Sequence, residues 1–343
     1  MSREIKIGNT AVGGDNHIVI QSMLNAHYLD LEGNVRQAVE LERAGCEILR
    51  VSVPNEEALK LSPAIKEKIS IPLVADIHFD YKMAIASVEY GADKIRINPG
   101  NIGSEENLKA VVIKCRERGV PIRVGVNSGS LEKDILDKYQ GRTPEALAES
   151  ALNNVKLVEK YDFDQIVISA KSTDVETMVK ANRIIAASSD YPIHIGVTEA
   201  GVPSIGLTKS AIGIGSLLLD GIGDTIRVSL TGDCCEEIEA AKRILGAINK
   251  YDSVDVISCP TCGRTEIDLI PIAEEIAERT KNIRKKIKVA VMGCVVNGPG
   301  EASGADIGIA GGKDCAILFK HGQIVKKLTS DYVEVLLEEI NKM

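Results

Sequence analysis

Short apolar, β-branched runs recur along the first two thirds of the chain, and helix-like stretches alternate with them. The runs cover residues 17–22, 46–53, 72–78, 93–100, 121–127, 165–171, 192–201 and 224–231. Near-continuous hydrophobic strands separated by helices mark a parallel sheet buried on both faces. Eight such units in about 230 residues fit an α/β TIM (β/α)8 barrel better than a doubly wound sheet. The apolar spacing predicts an amphipathic helix over 34–44, ended by Gly45. It predicts another through Glu159, with Thr143 as N-cap and Pro144 at the first helical position. The interval between the fifth and sixth strands is the longest, and 131–139 reads as an extra helix there. Residues 2–16 read as a small hairpin, suited to plugging the N-terminal end of the barrel.

A helix over 234–248 completes the eight units, and a smaller α+β unit follows. Its predicted strands are 254–258, 287–293, 305–312, 316–320 and 323–328; its predicted helices are 266–279 and a last one from Tyr332. The expected division is a substrate-binding barrel over 1–250 and a second domain over 251–343.

The net charge of −8 argues against nucleic acid or an anionic membrane as the main partner. Any anion site must therefore be a local concentration of cations. The first residues lack the apolar core of a signal peptide, and no window approaches a membrane span of about 18–20 apolar residues. The expected compartment is the cytoplasm. There, eight cysteines do not suggest a disulfide framework. Cys46, Cys115, Cys234, Cys235 and Cys315 match no metal spacing and read as packing residues.

Polar residues interrupt the apolar runs where a TIM barrel places its active site, at the C-terminal strand ends. Arg50, Asp76, His78, Arg96, Asn98, Arg123, Asn127, Ser169, Lys171, Thr198, Glu199, Arg227 and Ser229 all occur there. Alternation along a strand makes Asp76/His78, Arg96/Asn98, Ser169/Lys171 and Arg227/Ser229 same-face pairs. Arg50, Arg96, Arg123, Lys171 and Arg227 would bring five cations to one mouth. A structural network with Asp76 and Glu199 is one reading. The few local acids favour the other: an anionic ligand with phosphate groups that arginine forks can grip.

The second domain carries Cys259-Pro-Thr-Cys262-Gly-Arg-Thr and, farther on, Gly293-Cys294-Val-Val-Asn-Gly-Pro-Gly-Glu301. Three thiolates are an incomplete tetrahedral set. Asn297-Gly-Pro-Gly300 is a tight-turn sequence that can fold Glu301 back towards the metal. A structural zinc site with Glu301 uninvolved is the bland alternative. A 4Fe–4S cluster on Cys259, Cys262 and Cys294, with a weakly held oxygen ligand at one corner, suits the set better and adds redox and Lewis-acid chemistry.

These motifs closely resemble bacterial 4-hydroxy-3-methylbut-2-enyl diphosphate synthases of the non-mevalonate isoprenoid pathway. The resemblance also runs through Gln21-Ser-Met, Leu49-Arg-Val-Ser-Val-Pro, Ala75-Asp-Ile-His-Phe, Ile95-Arg-Ile-Asn-Pro-Gly-Asn-Ile-Gly, Val124-Gly-Val-Asn and Gly196-Val-Thr-Glu-Ala-Gly. It implies an oxidoreductase that opens and dehydrates 2-C-methyl-D-erythritol 2,4-cyclodiphosphate reductively. It implies a 4Fe–4S cluster on Cys259, Cys262, Cys294 and Glu301, single electrons from flavodoxin or ferredoxin, and a head-to-tail homodimer. It also implies that Arg50, Arg96, Arg123, Lys171 and Arg227 hold the diphosphate, with hydrogen bonds from Asn98, Asn127 and Ser229. Glu199 becomes a candidate proton donor, and Asp76 and His78 line the pocket. After the first strand the family usually reads Gln-Ser-Met-Thr-Asn-Thr-Asp-Thr. Here Leu24-Asn25-Ala26-His27-Tyr28 follows Met23, so no role is carried over to that loop. The alternative function is a phosphate-binding TIM-barrel transferase with a structural zinc tail.

Overall fold

The computed structural model describes residues 1–295, 302 and 304–343. The chain divides into two compact units, Met1–Leu245 and Gly246–Met343.

The first unit opens with an antiparallel hairpin of β1 (Ile5–Ile7) and β2 (Thr10–Val12). Eight parallel strands follow: β3 (Val19–Met23), β4 (Ile48–Ser52), β5 (Leu73–Asp76), β6 (Lys94–Ile97), β7 (Ile122–Asn127), β8 (Ile166–Lys171), β9 (His194–Ile195) and β10 (Thr225–Ile226). Each pairs with its sequence neighbour, β10 pairs with β3, and an Ile168–Ile193 bridge joins β8 to the approach of β9. The ring is therefore the expected closed parallel barrel. β9 and β10 are shorter than the sequence suggests. Beyond them the backbones still bond, Arg227 N–H to Ile195 O at 3.1 Å and Thr198 N–H to Ser172 O at 3.2 Å, but outside regular ladder geometry.

The helices begin and end where their capping chemistry allows. α1 (Leu31–Ala44) starts three residues before its predicted first residue. The Asp30 side chain accepts from Gly33 N–H, so the cap precedes the apolar stripe that the sequence shows. Gly45 ends it in the left-handed region at φ 98°, where a Cβ is unfavourable. The helix Pro144–Glu159 has the predicted Thr143 cap, and a short helix Lys133–Tyr139 fills the long fifth connection. With α2 (Leu61–Lys66), α3 (Tyr81–Glu89), α4 (Glu105–Arg118), the short helix as α5 and its longer neighbour as α6, α7 (Val175–Ser188) and α8 (Pro203–Leu219), the series closes at α9 (Cys234–Ala247).

The hairpin sits at the N-terminal end of the barrel. Arg3 N–H donates to Asp190 O at 2.7 Å, Ser2 Oγ to Asp224 at 2.5 Å, and Asn9 Nδ2 to Ser70 O at 3.3 Å. These partners all precede strands, so the plug leaves the opposite rim free for ligands.

The second unit is a five-stranded sheet in the order β11 (Val254–Ser258), β12 (Ile287–Met292), β13 (Ile307–Gly312), β14 (Cys315–Lys320), β15 (Gln323–Leu328). The first three strands are parallel and the last two antiparallel. Period-two alternation sorts its faces. Val289, Val291, Ile307 and Ile309 join Ile276 and the closing helix Tyr332–Lys342 in one core. Ala290, Met292, Ala310 and Phe319 form a second cluster on the other face, with Cys259 against it. α10 (Leu269–Thr280) starts later than the sequence predicts. The preceding Glu266 N–H is used instead, donating to Gly293 O at 2.8 Å.

Candidate functional site

Alternation along the strands turns one polar face of each into the barrel. Asp76 on β5 is buried and bridges two neighbours: Arg50 Nη2 lies 2.5 Å from one carboxylate oxygen and Arg96 Nη1 3.2 Å from the other. His78, half exposed, has its Nε2 3.6 Å from the same carboxylate. Burial alone would raise the Asp76 pKa, but the charges of Arg50, Arg96 and His78 hold it well below the usual carboxylate range.

Arg123 is buried and donates to Gln21 Oε1 at 3.2 Å. Lys171, also buried, has no hydrogen bond or ion pair among the described residues. Burial first, then the charges of Arg227, Arg123, Arg50 and Arg96, push its ammonium well below its usual range. Arg227 pairs with Glu237 on α9 at 3.3 Å. Burial and nearby cations also lower Arg50 and Arg123, although a guanidinium keeps its charge in a protein. Five cations thus share one interior with two carboxylates, Asp76 and Glu237, among the described residues.

Two glycines make room for this crowd. A Cβ on Gly125 would fall 2.5 Å from Arg96 Nε, and one on Gly196 3.1 Å from Lys171 Nζ. Arg96 also donates to the Gly125 carbonyl at 3.3 Å.

The remaining predicted residues make no side-chain hydrogen bond to this cluster among the described residues, although Asn127 lies opposite Lys171 in the β7–β8 register. Asn98 is buried and caps a short turn, accepting from Gly100 N–H at 3.2 Å. Asn127 ends β7 and Ser229 lies three residues past β10, both half-buried. Glu199 is exposed on the loop after β9, with its backbone in the left-handed region at φ 51°. That conformation is strained for a non-glycine residue and often marks functional sites. The atypical first loop places Leu24, Ala26, His27 and Tyr28 along a cleft with Val51, Ser52 and Pro54. The His27 and Tyr28 rings stack at 4.5 Å.

Sequence reading missed Glu237, Gln21 and Lys94. Glu237 sits in an acidic helix start that looks solvated, yet it is buried. It receives Ser22 Oγ–H at 3.0 Å and Leu230 N–H at 3.0 Å as well as Arg227. The available signal was the demand of Arg227 for a counterion.

In the second unit the cysteine motifs leave the same end of adjacent parallel strands. Cys259 directly follows β11, and Cys294 lies two residues past β12. Gly293 N–H donates to Cys259 Sγ at 3.3 Å. Thr265 Oγ1 accepts from Cys262 N–H at 3.2 Å, which ties the C-x-x-C loop to the same turn. Hydrogen bonds from Arg264 lower the exposed Cys262 thiol below its ordinary range. Among the described residues no three His, Cys, Asp or Glu side chains already converge on one metal position. Glu301, the predicted fourth ligand, lies outside the described residues.

The TIM-barrel domain of GcpE matches residues 2–242, and the C-terminal domain of the GcpE protein matches 255–342. The chain belongs to the GcpE family. Among GcpE relatives, the 4-hydroxy-3-methylbut-2-en-1-yl diphosphate synthase (flavodoxin) of Caldanaerobacter subterraneus is 57% identical, over 100% of this chain and 97% of the relative. The enzyme of the same name from Fusobacterium nucleatum is 53% identical, over 100% and 96%. The GcpE barrel also resembles solved structures at fold level. Dihydropteroate synthase from Xanthomonas albilineans aligns with TM-score 0.53 and 14% identity, over 72% of this chain and 99% of that one. 3-Dehydroquinate dehydratase from Geobacillus kaustophilus aligns with TM-score 0.53 and 15% identity, over 73% and 99%. No helix among the described residues is long and apolar enough to cross a membrane.

Proposed function

We propose that the protein reductively opens and dehydrates 2-C-methyl-D-erythritol 2,4-cyclodiphosphate to 4-hydroxy-3-methylbut-2-enyl diphosphate. It does so as a 4-hydroxy-3-methylbut-2-en-1-yl diphosphate synthase, the activity named for its full-length relatives. The observation that carries the reading is the uncompensated positive charge inside the barrel. A cyclic diphosphate supplies the counter-charge that Asp76 and Glu237 do not. The zinc-tailed transferase finds no support among the relatives.

Arg50, Arg96, Arg123, Lys171 and Arg227 grip the diphosphate, and Asn98, Asn127 and Ser229 add hydrogen bonds. Asp76 and His78 form the wall, with Asp76 fixing the forks of Arg50 and Arg96. Glu199, on its strained turn, is positioned to deliver a proton. The donor chemistry of the second unit fits a 4Fe–4S cluster: three thiols at one sheet end, a backbone N–H directed at sulfur, and one thiol already acidified. Cys259, Cys262, Cys294 and Glu301 would hold it. When bound, such a cluster supplies single electrons and a Lewis-acidic iron. Electrons reach the enzyme from flavodoxin or ferredoxin in the cytoplasm. Cation cluster and cysteines belong to different units, which favours a head-to-tail homodimer that brings them together across subunits.

Anaerobically purified protein should contain about four irons and four sulfides per chain. With a chemical reductant it should convert the cyclodiphosphate. One colourless zinc and no turnover would overturn the reading. Glu301→Ala should retain most of the iron and lose nearly all turnover; full activity would remove that residue from the mechanism.

A further inference from the structure

Below the mouth the barrel holds a second polar layer that this chemistry does not use. Lys94 opens β6 two residues before Arg96, so both point inward, about 7 Å apart along the strand. Lys94 is fully buried, and its Nζ has no hydrogen-bond partner among the described residues. The charges that act on it are Arg123 from β7 and Arg50 from β4, both positive. His194 from β9 shares the interior. Its Nδ1 lies 2.7 Å from Thr225 Oγ1, and its buried Nε2 is unpartnered. Lys171, Arg123, Lys94 and Arg50 all act on His194. The nearby carboxylates are already engaged, Asp76 by Arg50 and Arg96 and Glu237 by Arg227. Arg50 Nε, Arg123 Nε and Gln21 Nε2 also lack partners.

Another positive charge here has no counterion. Asp76 is shared by two arginines, and Glu237 is taken by Arg227. An unpaired buried ammonium costs several kcal/mol, so the amine gives up its proton. Burial first, and the neighbouring cations second, push Lys94 and His194 well below their usual ranges. A bound diphosphate reverses this balance by bringing two negative charges into the same interior.

We propose that Lys94, with His194 in the same interior, is the proton-accepting floor of the anion site: neutral while the barrel holds no diphosphate, and protonated from solvent when one binds above it. The only bond formed is N–H, and the proton comes from water or buffer. Lys94 acts here as a positioning residue, adding positive charge beneath Arg50 and Arg123 when the ligand needs it. The inference rests on the diphosphate reading of the mouth.

The test is calorimetric titration of the full-length protein with the cyclodiphosphate, without reductant, at pH 8 in buffers of different ionisation heat. The cyclic diester is fully ionised at that pH, so any proton taken up goes onto the protein. Up to about one proton per site should be absorbed, and affinity should fall by up to about tenfold per pH unit as pH rises. Lys94→Met should still bind, lose most of the uptake and flatten the pH dependence. Without ligand it should melt above the wild type, because an apolar chain replaces a buried unpaired amine. Binding without uptake, or uptake unchanged in Lys94→Met, overturns the inference alone. Failure of the wild type to bind overturns the diphosphate reading as well. Should Lys94→Met not fold, a wild-type affinity that does not change with pH still overturns the inference.

Discussion

Asp76 holds arginines from two neighbouring strands while it is itself closed off from solvent. Breaking a buried pair by removing one partner costs about 3–5 kcal/mol, because the other charge stays uncompensated. Asp76→Asn should therefore lower the unfolding free energy by about that amount, read in a denaturant titration. Added phosphate should recover part of the loss by replacing the counterion. The pH dependence has a definite sign. The folded Asp76 pKa lies below its unfolded value of about 4, so its contribution is complete above that value. It fades as pH drops below about 4, and Asp76→Asn should flatten the acid limb of the stability curve. At this scale the sequence was partly legible. Spacing by two identified Asp76 with His78 and Arg96 with Asn98 as same-face pairs. Glu237 was hidden because Glu236, Glu237 and Glu239 look alike in sequence, and only the packing of α9 buries Glu237 while leaving Glu236 exposed.

Glycine placement on the strands decides how much space the interior offers. At Gly125 an added Cβ meets the movable Arg96 side chain at 2.5 Å, whereas at Gly196 it meets the Arg227 carbonyl at 2.4 Å. Side chains can yield where backbone cannot. Gly125→Ala should fold with a stability change below about 1 kcal/mol and show its effect as a raised KM for the cyclodiphosphate. Gly196→Ala should instead cost about 1–3 kcal/mol, as overpacking does, visible as a lower melting temperature. Equal behaviour of the two variants would contradict the distinction. Elements with clear capping chemistry were read from sequence almost to the residue, as Thr143 and Pro144 illustrate. The errors fell where tertiary bonds compete with local signals. Glu266 gives its N–H to Gly293 and not to a helix, and the last two barrel strands leave regular pairing after two residues each.

Over the whole molecule, the cation cluster and the cysteine motifs belong to separate compact units. The proposed head-to-tail homodimer, with its active site completed across subunits, makes a quantitative prediction. Arg96→Met and Glu301→Ala chains, each inactive alone, should recover activity when mixed and allowed to exchange. Statistical pairing makes half of the dimers mixed, each with one intact site, so recovery should approach about a quarter of the wild-type rate. Mixed dimers that form without any recovery would rule out the shared site. The expected two-domain division rested on the βα rhythm, which stops after α9 and gives way to a different order of strands and helices. The head-to-tail homodimer was an expectation from the family resemblance alone, since nothing local in either motif refers to the other.

The N-terminal hairpin has a consequence for the birth of the chain. Ser2 and Arg3 leave the ribosome some two hundred residues before their partners Asp224 and Asp190. At about 5–20 residues per second, the barrel's founding strand waits on the order of ten to forty seconds for β10, its last neighbour. Throughout that interval its apolar edge is an open template for misassociation. Binding of chaperone to ribosome-held chains should therefore be highest before the last barrel strand is made and should grow as translation slows.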